Sequence, residues 1–368
     1  MNDDLFKPAG KLRYGWTTGA CATAATKAAL LALLQGHFEN DVTISLPGGQ
    51  EPIFILSRHS LEAGQASAGI IKDAGDDPDV THGAEIIVTV RQGHVGSGIT
   101  FVAGPGVGTV TLPGLPVPVG EPAINPAPRK MMTEVAKAVA ASFGKPPDFE
   151  ISIAIPGGEK LAEKTMNGRL GIIGGLSILG TTGIVRPYSC SAWIHSIHSG
   201  IDVARATGIT HIAATTGSTS ETAIKALYGL TGSALIDMGD FAGGLLKYLR
   251  HHRVEKLTLA GGFGKLTKLA QGNMDLHSDR SQLDFNKLAA CLKDLGGGEK
   301  CVADAKKATT AMAVLDLART QGLPLADLIA RRAHDVALSA VDGGLSVEVC
   351  VFDRGGQLVG RAEGDADG

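Results

Sequence analysis

The chain has 368 residues, a formal net charge of -3 and 19% charged residues. This is the balance of an ordinary globular protein and lacks the basic excess typical of nucleic-acid binding, while the length favours two domains. No segment is long and apolar enough to span a bilayer, and Met1 to Lys11 does not resemble a signal peptide. The five cysteines show no CxxC spacing, which favours reduced thiols and no protein-bound metal. We therefore expect a cytoplasmic protein with no nucleic-acid or membrane partner, and leave a homo-oligomer open.

Strands paired in hairpins, with helices between them, characterise the first half. Thr17 to Leu34 is rich in Ala and Leu and predicts a helix, with Thr17 or Thr18 as its N-cap. Further elements are expected in chain order: a hairpin of Val42 to Leu46 with Ile53 to Leu56, strands at Ala84 to Val90 and Gly98 to Val102, a Pro- and Gly-rich loop from Gly104 to Arg129, a helix at Met131 to Phe143 and a strand at Glu150 to Ile155. This order predicts an α+β domain over residues 1–190.

The second half alternates short apolar strands with polar or glycine-rich loops and helices. The three predicted strands are His211 to Ala214, Ala234 to Ile236 and Leu257 to Leu259. Helices follow from Cys301 to Ala340, and then a strand pair, Ser346 to Phe352 and Gln357 to Arg361. The alternation is typical of a parallel sheet. We expect a mixed α/β protein whose second domain, residues 191–368, is a Rossmann-like doubly wound α/β domain, with the boundary near Tyr188 to Ile201.

Three loops follow the predicted parallel strands, and ligands in such sheets bind at the carboxyl ends of the strands. These loops predict a nucleoside-type site from the following residues: Thr216, Gly217 and Ser218 in the first loop, Asp237 and Asp240 in the second, Gly261 and Gly262 in the third. Free N–H groups at a helix start favour a polar or anionic ligand group, and a carboxylate about twenty residues past Gly217 suits ribose hydroxyls. Two alternatives remain open, because Ser218 and Glu221 could form a plain capping box and the aspartates could be ordinary loop carboxylates.

Other candidates for chemistry are weak. His195 and His198 share a helical face, but no third metal ligand is evident. The aspartates between Asp73 and Asp79 do not have the spacing of an EF-hand loop. The sequence identifies no catalytic residue.

Several long stretches are similar to one known family. They are RYGWTTGACATAATKAAL (Arg13 to Leu30), IIKDAGDDPDVTHGAEI (Ile70 to Ile86), INPAPRKMM (Ile124 to Met132), GIIGGLSILGTTGIVRPYS (Gly171 to Ser189), MGDF (Met238 to Phe241) and GGFGKLTKLAQGNMDLHS (Gly261 to Ser278). These blocks resemble the CbiD family of cobalamin-biosynthesis proteins and extend over nearly the whole chain.

The resemblance implies methyl transfer from S-adenosylmethionine, as co-substrate, to C-1 of the corrinoid cobalt-precorrin-5B, giving cobalt-precorrin-6A. The cobalt belongs to the substrate. Because the substrate carries many carboxylates, the cations in the blocks are the expected clamps, namely Arg13, Lys72, Arg129 and Lys130. Asn125 lies in the same blocks and is also expected to bind the substrate. We expect the tetrapyrrole in the first domain, whose loops hold the longest family-like blocks yet lack nucleotide features, and S-adenosylmethionine in the second, where the three loops converge.

Two Thr-Thr-Gly segments, Thr17-Thr18-Gly19 and Thr181-Thr182-Gly183, are expected at a cleft shared by the two domains, where the two substrates would meet. Their alternative roles are helix capping and a tight turn. Two further functions stay open for the whole chain: an NAD(P)-dependent precorrin reductase, since the strand–loop–acid arrangement also suits NAD(P), and a non-catalytic corrinoid carrier.

Overall fold

The computed structural model describes residues 12–364, so the expectation for Met1 to Lys11 lies outside the described residues. The protein is mixed α/β, and its contacts divide it into two units between Cys190 and Ser191. The elements of the first unit are β1 Gly15–Trp16, α1 Thr18–Gln35, β2 Asp41–Thr43, β3 Ile53–Ile55, β4 Arg58–Glu62, β5 Gln65–Ile71, β6 Glu85–Gln92, β7 Ile99–Ala103, β8 Gly106–Val107, β9 Thr109–Val110, α2 Pro126–Ser142, β10 Phe149–Ala154, α3 Gly158–Ala162, a 3-10 turn Asn167–Leu170, β11 Ile172–Ile173, β12 Gly175–Leu176 and β13 Ile184–Val185.

A five-stranded sheet of order β4-β5-β6-β10-β7 forms the centre of the first unit. All its neighbouring strands are antiparallel except β10 and β7. Helix α1 packs on this sheet and against α2, and it is buried on almost every side. Its many alanines make this possible, because small side chains let a helix lie close to several neighbours at once. As expected, Thr17 is its N-cap and accepts a hydrogen bond from Ala20 N at 3.1 Å.

Two elements of the first unit differ from the sequence expectation. The hairpin of β4 and β5 was not expected, because every residue of β4 is exposed and the strand shows no apolar alternation. Helix α2 begins at Pro126, inside the stretch expected to be loop. Proline is well suited to the first helical turn, where its missing N–H costs nothing.

The second unit is built on a sheet of order β15-β14-β16-β17-β18, in which only the β17–β18 pair is antiparallel. Its elements are α4 Cys190–Ala206, β14 His211–Thr215, α5 Ser218–Tyr228, a 3-10 turn Gly232–Ala234, β15 Leu235–Asp237, α6 Ala242–Leu249, β16 Lys256–Gly262, α7 Phe263–Ala270, α8 Phe285–Asp294, α9 Glu299–Lys307, α10 Ala311–Thr320, α11 Leu325–Val341, β17 Ser346–Phe352 and β18 Leu358–Gly364. The expected succession of parallel strands, loops and helices is confirmed.

Both faces of this sheet are covered, but unequally. On one face, α4, α6, α7 and the helices α8 to α11 share the larger apolar core of the unit. On the other face, α5 packs over a small cluster that includes Ala213, Ile224 and Ala260. The order of the strands reverses at β14, because β15 lies on one side of it and β16 on the other.

A buried polar cluster lies on the α5 face around Glu348, whose side chain is fully buried. The carboxylate accepts hydrogen bonds from Tyr228 Oη at 2.5 Å, Thr258 Oγ1 at 2.6 Å and Arg361 Nε at 2.6 Å. Burial raises the pKa of Glu348, but these hydrogen bonds and the nearby cations outweigh burial and hold the pKa below its ordinary value. The cluster therefore depends on an ionised glutamate.

Candidate functional site

The three loops predicted to bind a nucleoside lie together at the carboxyl edge of the second-unit sheet. In the parallel register, Thr215 is opposite Asp237 of β15 and opposite Ala260 of β16. The loops that follow these three strands therefore start side by side. The reversal of strand order at β14 falls at the same place, which is where ligands bind in open α/β sheets.

The first loop leaves the start of α5 without a side-chain cap. Gly217, not Ser218, is the residue before the helix, so the capping box considered for Ser218 is not formed. Glu221 instead accepts a hydrogen bond from Lys225 within the helix at 2.7 Å. A Cβ added to Gly217 would meet no atom within 4 Å. The first turn of α5 is thus open to a polar ligand group.

The second and third loops are joined by an ion pair. Lys265 Nζ lies 3.1 Å from Asp240 Oδ1 and donates a hydrogen bond to the Thr216 carbonyl oxygen at 2.9 Å. Asp237 is the last residue of β15, and its Oδ1 accepts a hydrogen bond from Gly239 N at 3.2 Å. The sequence analysis assigned no site role to Lys265, which follows the glycines of the third loop, because nothing in its spacing indicates that it reaches the two other loops.

The two glycines of the third loop have different roles. A Cβ at Gly261 would lie 2.8 Å from Thr216 Cγ2, so glycine is needed for the first and third loops to pack together. Gly262 precedes α7, and a Cβ there would meet nothing within 4 Å. Beneath them, the buried Thr215 Oγ1 has no hydrogen-bond partner in the part of the chain that the structure describes.

In the first unit, the four family-like blocks converge around the start of α1. Arg13 N donates to Asp76 Oδ2 at 2.6 Å, which joins the first block to the second. Tyr188 N donates to Asp77 Oδ1 at 2.8 Å, joining the fourth block to the second. Asn125 N donates to the carbonyl oxygen of Ile178 at 2.9 Å, joining the third block to the fourth. Residues far apart in sequence therefore form one continuous region.

The two Thr-Thr-Gly segments contact each other within this region. Thr17 N donates to the Gly183 carbonyl oxygen at 3.0 Å, and β1 pairs with β13. Thr18 Oγ1 is buried and accepts a hydrogen bond from Leu179 N at 2.9 Å, while Gly19 N donates to the Leu179 carbonyl oxygen at 2.9 Å.

The hydroxyls of these segments differ in accessibility. The Thr17 hydroxyl caps α1, as the capping alternative anticipated, whereas the buried Thr18 hydroxyl bonds to Leu179 of the fourth block. Thr181 and Thr182 are exposed, and Thr182 Oγ1 forms hydrogen bonds with Ile184 of its own turn. Their placement opposite the second-unit sheet stays a prediction.

Of the four cations expected to clamp substrate carboxylates, Lys72 does not fit that role. Its side chain is 1% exposed and its Nζ donates to Asp79 Oδ2 at 2.7 Å. The exposed Arg13 pairs with Asp73, and Lys130 lies 3.8 Å from Glu134 on α2.

The side chain of Arg129 also bonds to groups close to it in the sequence. Its Nε donates to the Ile124 carbonyl oxygen at 2.9 Å, and its Nη2 lies 3.2 Å from Glu121 Oε2. The Asn125 side chain does not cap α2. Among residues 12–364, Arg186 is an exposed cation of the same blocks with no ion pair, although the sequence analysis did not select it.

The aspartates of the second block differ in their pKa values. The hydrogen bond from Arg13 and that from Gly75 N hold the pKa of Asp73 at about 2. Burial raises the pKa of Asp77. Burial also acts to raise the pKa of Asp79, but Lys72 and the hydrogen bonds from Thr81 outweigh it and lower the pKa. Asp77 therefore holds a proton more readily than Asp73 or Asp79 does.

The remaining features concern metals and membranes. His198 stacks on Tyr248 with ring centroids 3.8 Å apart, which gives it a packing role in α4. In the described part of the chain, no group of three or more His, Cys, Asp or Glu side chains is placed to hold a metal ion. None of the helices within residues 12–364 has the length and apolar character to cross a bilayer. All five cysteines are free thiols.

Comparisons with known proteins agree with the resemblance of the blocks. The family model described as CbiD matches residues 6–187, and a model described as CbiD, C-terminal domain, matches residues 275–363. A protein of Brucella anthropi named cobalt-precorrin-5B C(1)-methyltransferase is 57% identical, covering 98% of this chain and 100% of its own length. A protein of the same name from Paramagnetospirillum magneticum is 58% identical over 95% of this chain and 98% of its own.

A solved structure, described as a cobalamin biosynthesis protein (cbiD) from Archaeoglobus fulgidus, is 29% identical, with a TM-score of 0.40, and covers 74% of this chain and 84% of that one. The sequence matches extend over nearly the full length of this chain and of its relatives. The chain therefore belongs to the CbiD family.

Proposed function

We propose that this protein is a methyltransferase of cobalamin biosynthesis that methylates C-1 of cobalt-precorrin-5B. The observation that carries the proposal is the 57% identity, over 98% of the chain, to a relative that bears the name of this activity. The four converging blocks of the first unit are part of that shared length, so the region most suited to a substrate is included in the match.

S-adenosylmethionine is the methyl donor in this proposal. Bound as co-substrate, it supplies an electrophilic methyl group on a sulfonium, so the protein needs chiefly to align the two reactants and exclude water. The carboxyl edge of the second-unit sheet fits such a molecule on three counts. The start of α5 has no side-chain cap, Gly217 leaves open space beside it, and Asp240 is held in place by Lys265.

The finer description of the second unit belongs to the same proposal. We infer a Rossmann-like doubly wound domain, supported by four parallel strands, helices on both faces and a reversal of strand order at β14. The antiparallel β18 is an addition at the sheet edge. Residues 191–368 would bind the donor, with Thr216, Asp237, Gly261 and Gly262 around it.

Residues 1–190 would bind the corrinoid. Support comes from the convergence of the four blocks and from the exposed groups that they present, which include Thr181, Thr182 and Arg186. A guanidinium without an ion pair is suited to a substrate with many carboxylates. The protein would act in the cytoplasm, as the sequence analysis expects.

The direct test is to incubate the purified protein with cobalt-precorrin-5B and S-adenosylmethionine labelled in its methyl group. We expect the label in the corrinoid, a mass increase of one methylene group, and S-adenosylhomocysteine as the second product. A corrinoid that is reduced in the presence of NADPH and never labelled would identify a reductase. Tight binding of the corrinoid with no turnover of either kind would identify a carrier.

The donor site is tested separately by calorimetry with S-adenosylhomocysteine. Asp240→Ala should weaken binding roughly 5- to 150-fold, the factor for losing about 1–3 kcal/mol of charge-assisted hydrogen bonding. Asp304→Ala is the matched control, because Asp304 is an exposed carboxylate of α9. Equal affinity of a folded Asp240→Ala variant and the wild type would remove Asp240 from the site.

A further inference from the structure

Lys265 connects all three loops of the proposed donor site. It lies in the first turn of α7, and its ammonium contacts the Thr216 carbonyl oxygen of the first loop at 2.9 Å and Asp240 Oδ1 of the second at 3.1 Å. The contact with Asp240 is an ion pair and not an aligned hydrogen bond, since Asp240 Oδ1 has no hydrogen-bond partner among the described residues.

Asp240 is held on its backbone as well as on its side chain. Its carbonyl oxygen accepts a hydrogen bond from Leu276 N at 2.8 Å, and the Leu276 carbonyl oxygen accepts one from Lys268 Nζ at 2.8 Å. Lys265 and Lys268 are three positions apart on α7 and so lie on the same side of the helix. One helix therefore fixes both the side chain and the backbone of this aspartate.

This arrangement leaves one oxygen of the carboxylate available. Asp240 Oδ1 is buried beside the ammonium, yet the side chain as a whole is 21% exposed. The remaining exposure belongs to the rest of the side chain, which includes Oδ2. A carboxylate with one oxygen covered and the other outward is suited to accept a hydrogen bond from a hydroxyl group.

We propose that Lys265 is a positioning residue, which holds the Asp240 carboxylate and the Thr216 carbonyl so that Asp240 accepts hydrogen bonds from the ribose hydroxyls of the methyl donor. This inference rests on the proposed function. Lys265 acts through Asp240 and does not contact the amino-acid part of the donor. A ligand that keeps the ribose but lacks the amino-acid carboxylate should therefore depend on Lys265 as strongly as the complete donor product does.

The experiment compares Kd values of two ligands by calorimetry, S-adenosylhomocysteine and 5′-methylthioadenosine. Lys265→Met should weaken both by the same factor, roughly 3- to 30-fold, which lies within the range of coupling between residues in contact. Lys265→Arg, which keeps the charge, should restore most of the affinity. Lys247→Met removes an exposed lysine of α6 and should change neither Kd.

A double-mutant cycle with Asp240→Asn completes the test. Because Lys265 acts through Asp240, adding Lys265→Met to Asp240→Asn should cause little further loss. Full additivity would overturn the proposal, as would a loss confined to S-adenosylhomocysteine, which would mean that Lys265 binds the amino-acid carboxylate directly. Should Lys265→Met not fold, Lys265→Gln is measured instead with the same expectations. If the wild-type protein binds neither ligand, the proposed function itself fails, and this inference fails with it.

Discussion

The ion pair between Lys72 and Asp79 in the first unit gives a sharp prediction, because its two partners are buried unequally. The side chain of Lys72 is 1% exposed, whereas that of Asp79 is 24% exposed. Asp79 also accepts hydrogen bonds from Thr81 N at 2.7 Å and Thr81 Oγ1 at 2.6 Å. Removing the carboxylate therefore leaves a buried cation without its counter-charge, whereas removing the lysine leaves a partly solvated anion with two other donors.

The expected costs follow from this asymmetry. Asp79→Asn should lower the free energy of unfolding of the first unit by about 3–5 kcal/mol, the cost of stranding one charge of a buried pair. Lys72→Met should cost about 1–2 kcal/mol, because methionine fills similar space and the aspartate keeps its hydrogen bonds from Thr81. The double variant should be more stable than Asp79→Asn, since it no longer holds an unpaired buried cation.

Urea unfolding monitored by Trp16 fluorescence measures these costs. The chain has two tryptophans, and Trp193 lies in the second unit. Trp193→Phe, used as the common background, makes the signal specific for the first unit, where Trp16 packs near Phe54 with ring centroids 5.6 Å apart. Equal costs for the two single variants, or a larger cost for Lys72→Met, would refute the assignment of Lys72 as the buried partner.

Three further predictions concern other parts of the chain. The pKa of Glu348 is lower in the folded state than in the unfolded state, where it is about 4.3. The ionised glutamate therefore stabilises the fold above about pH 4.3, and this stabilisation is lost as the pH falls below that value. Glu348→Gln should reduce this pH dependence of the free energy of unfolding in denaturation curves. Gly15→Ala would place a Cβ 2.0 Å from the Ala74 carbonyl carbon and should lower the Tm, whereas Gly168→Ala, with open space around it, should not. Arg186→Ala should raise the KM for the corrinoid in steady-state assays without changing S-adenosylhomocysteine affinity; an unchanged KM would argue against Arg186 as a clamp.

The sequence determined the elements whose signals are local. Alanine-rich composition and a threonine cap predicted α1, and short apolar segments followed by polar loops predicted the parallel strands of the second unit. The capping hydroxyl of Thr17 could be anticipated because the donor that it satisfies, Ala20 N, is only three residues away. Membership of the CbiD family was also evident, because the matching blocks are long and contiguous.

Tertiary structure decided the features that depend on contacts between distant residues. The sequence analysis expected Lys72, as a cation of a family-like block, to clamp a substrate carboxylate, but the fold buries it and pairs it with Asp79. Lys265 and Asp240 are 25 residues apart, and only the parallel register of β14, β15 and β16 brings their loops together. Local propensity and spacing contain no information about such pairings, because they are set by how the strands assemble and how the helices pack on them.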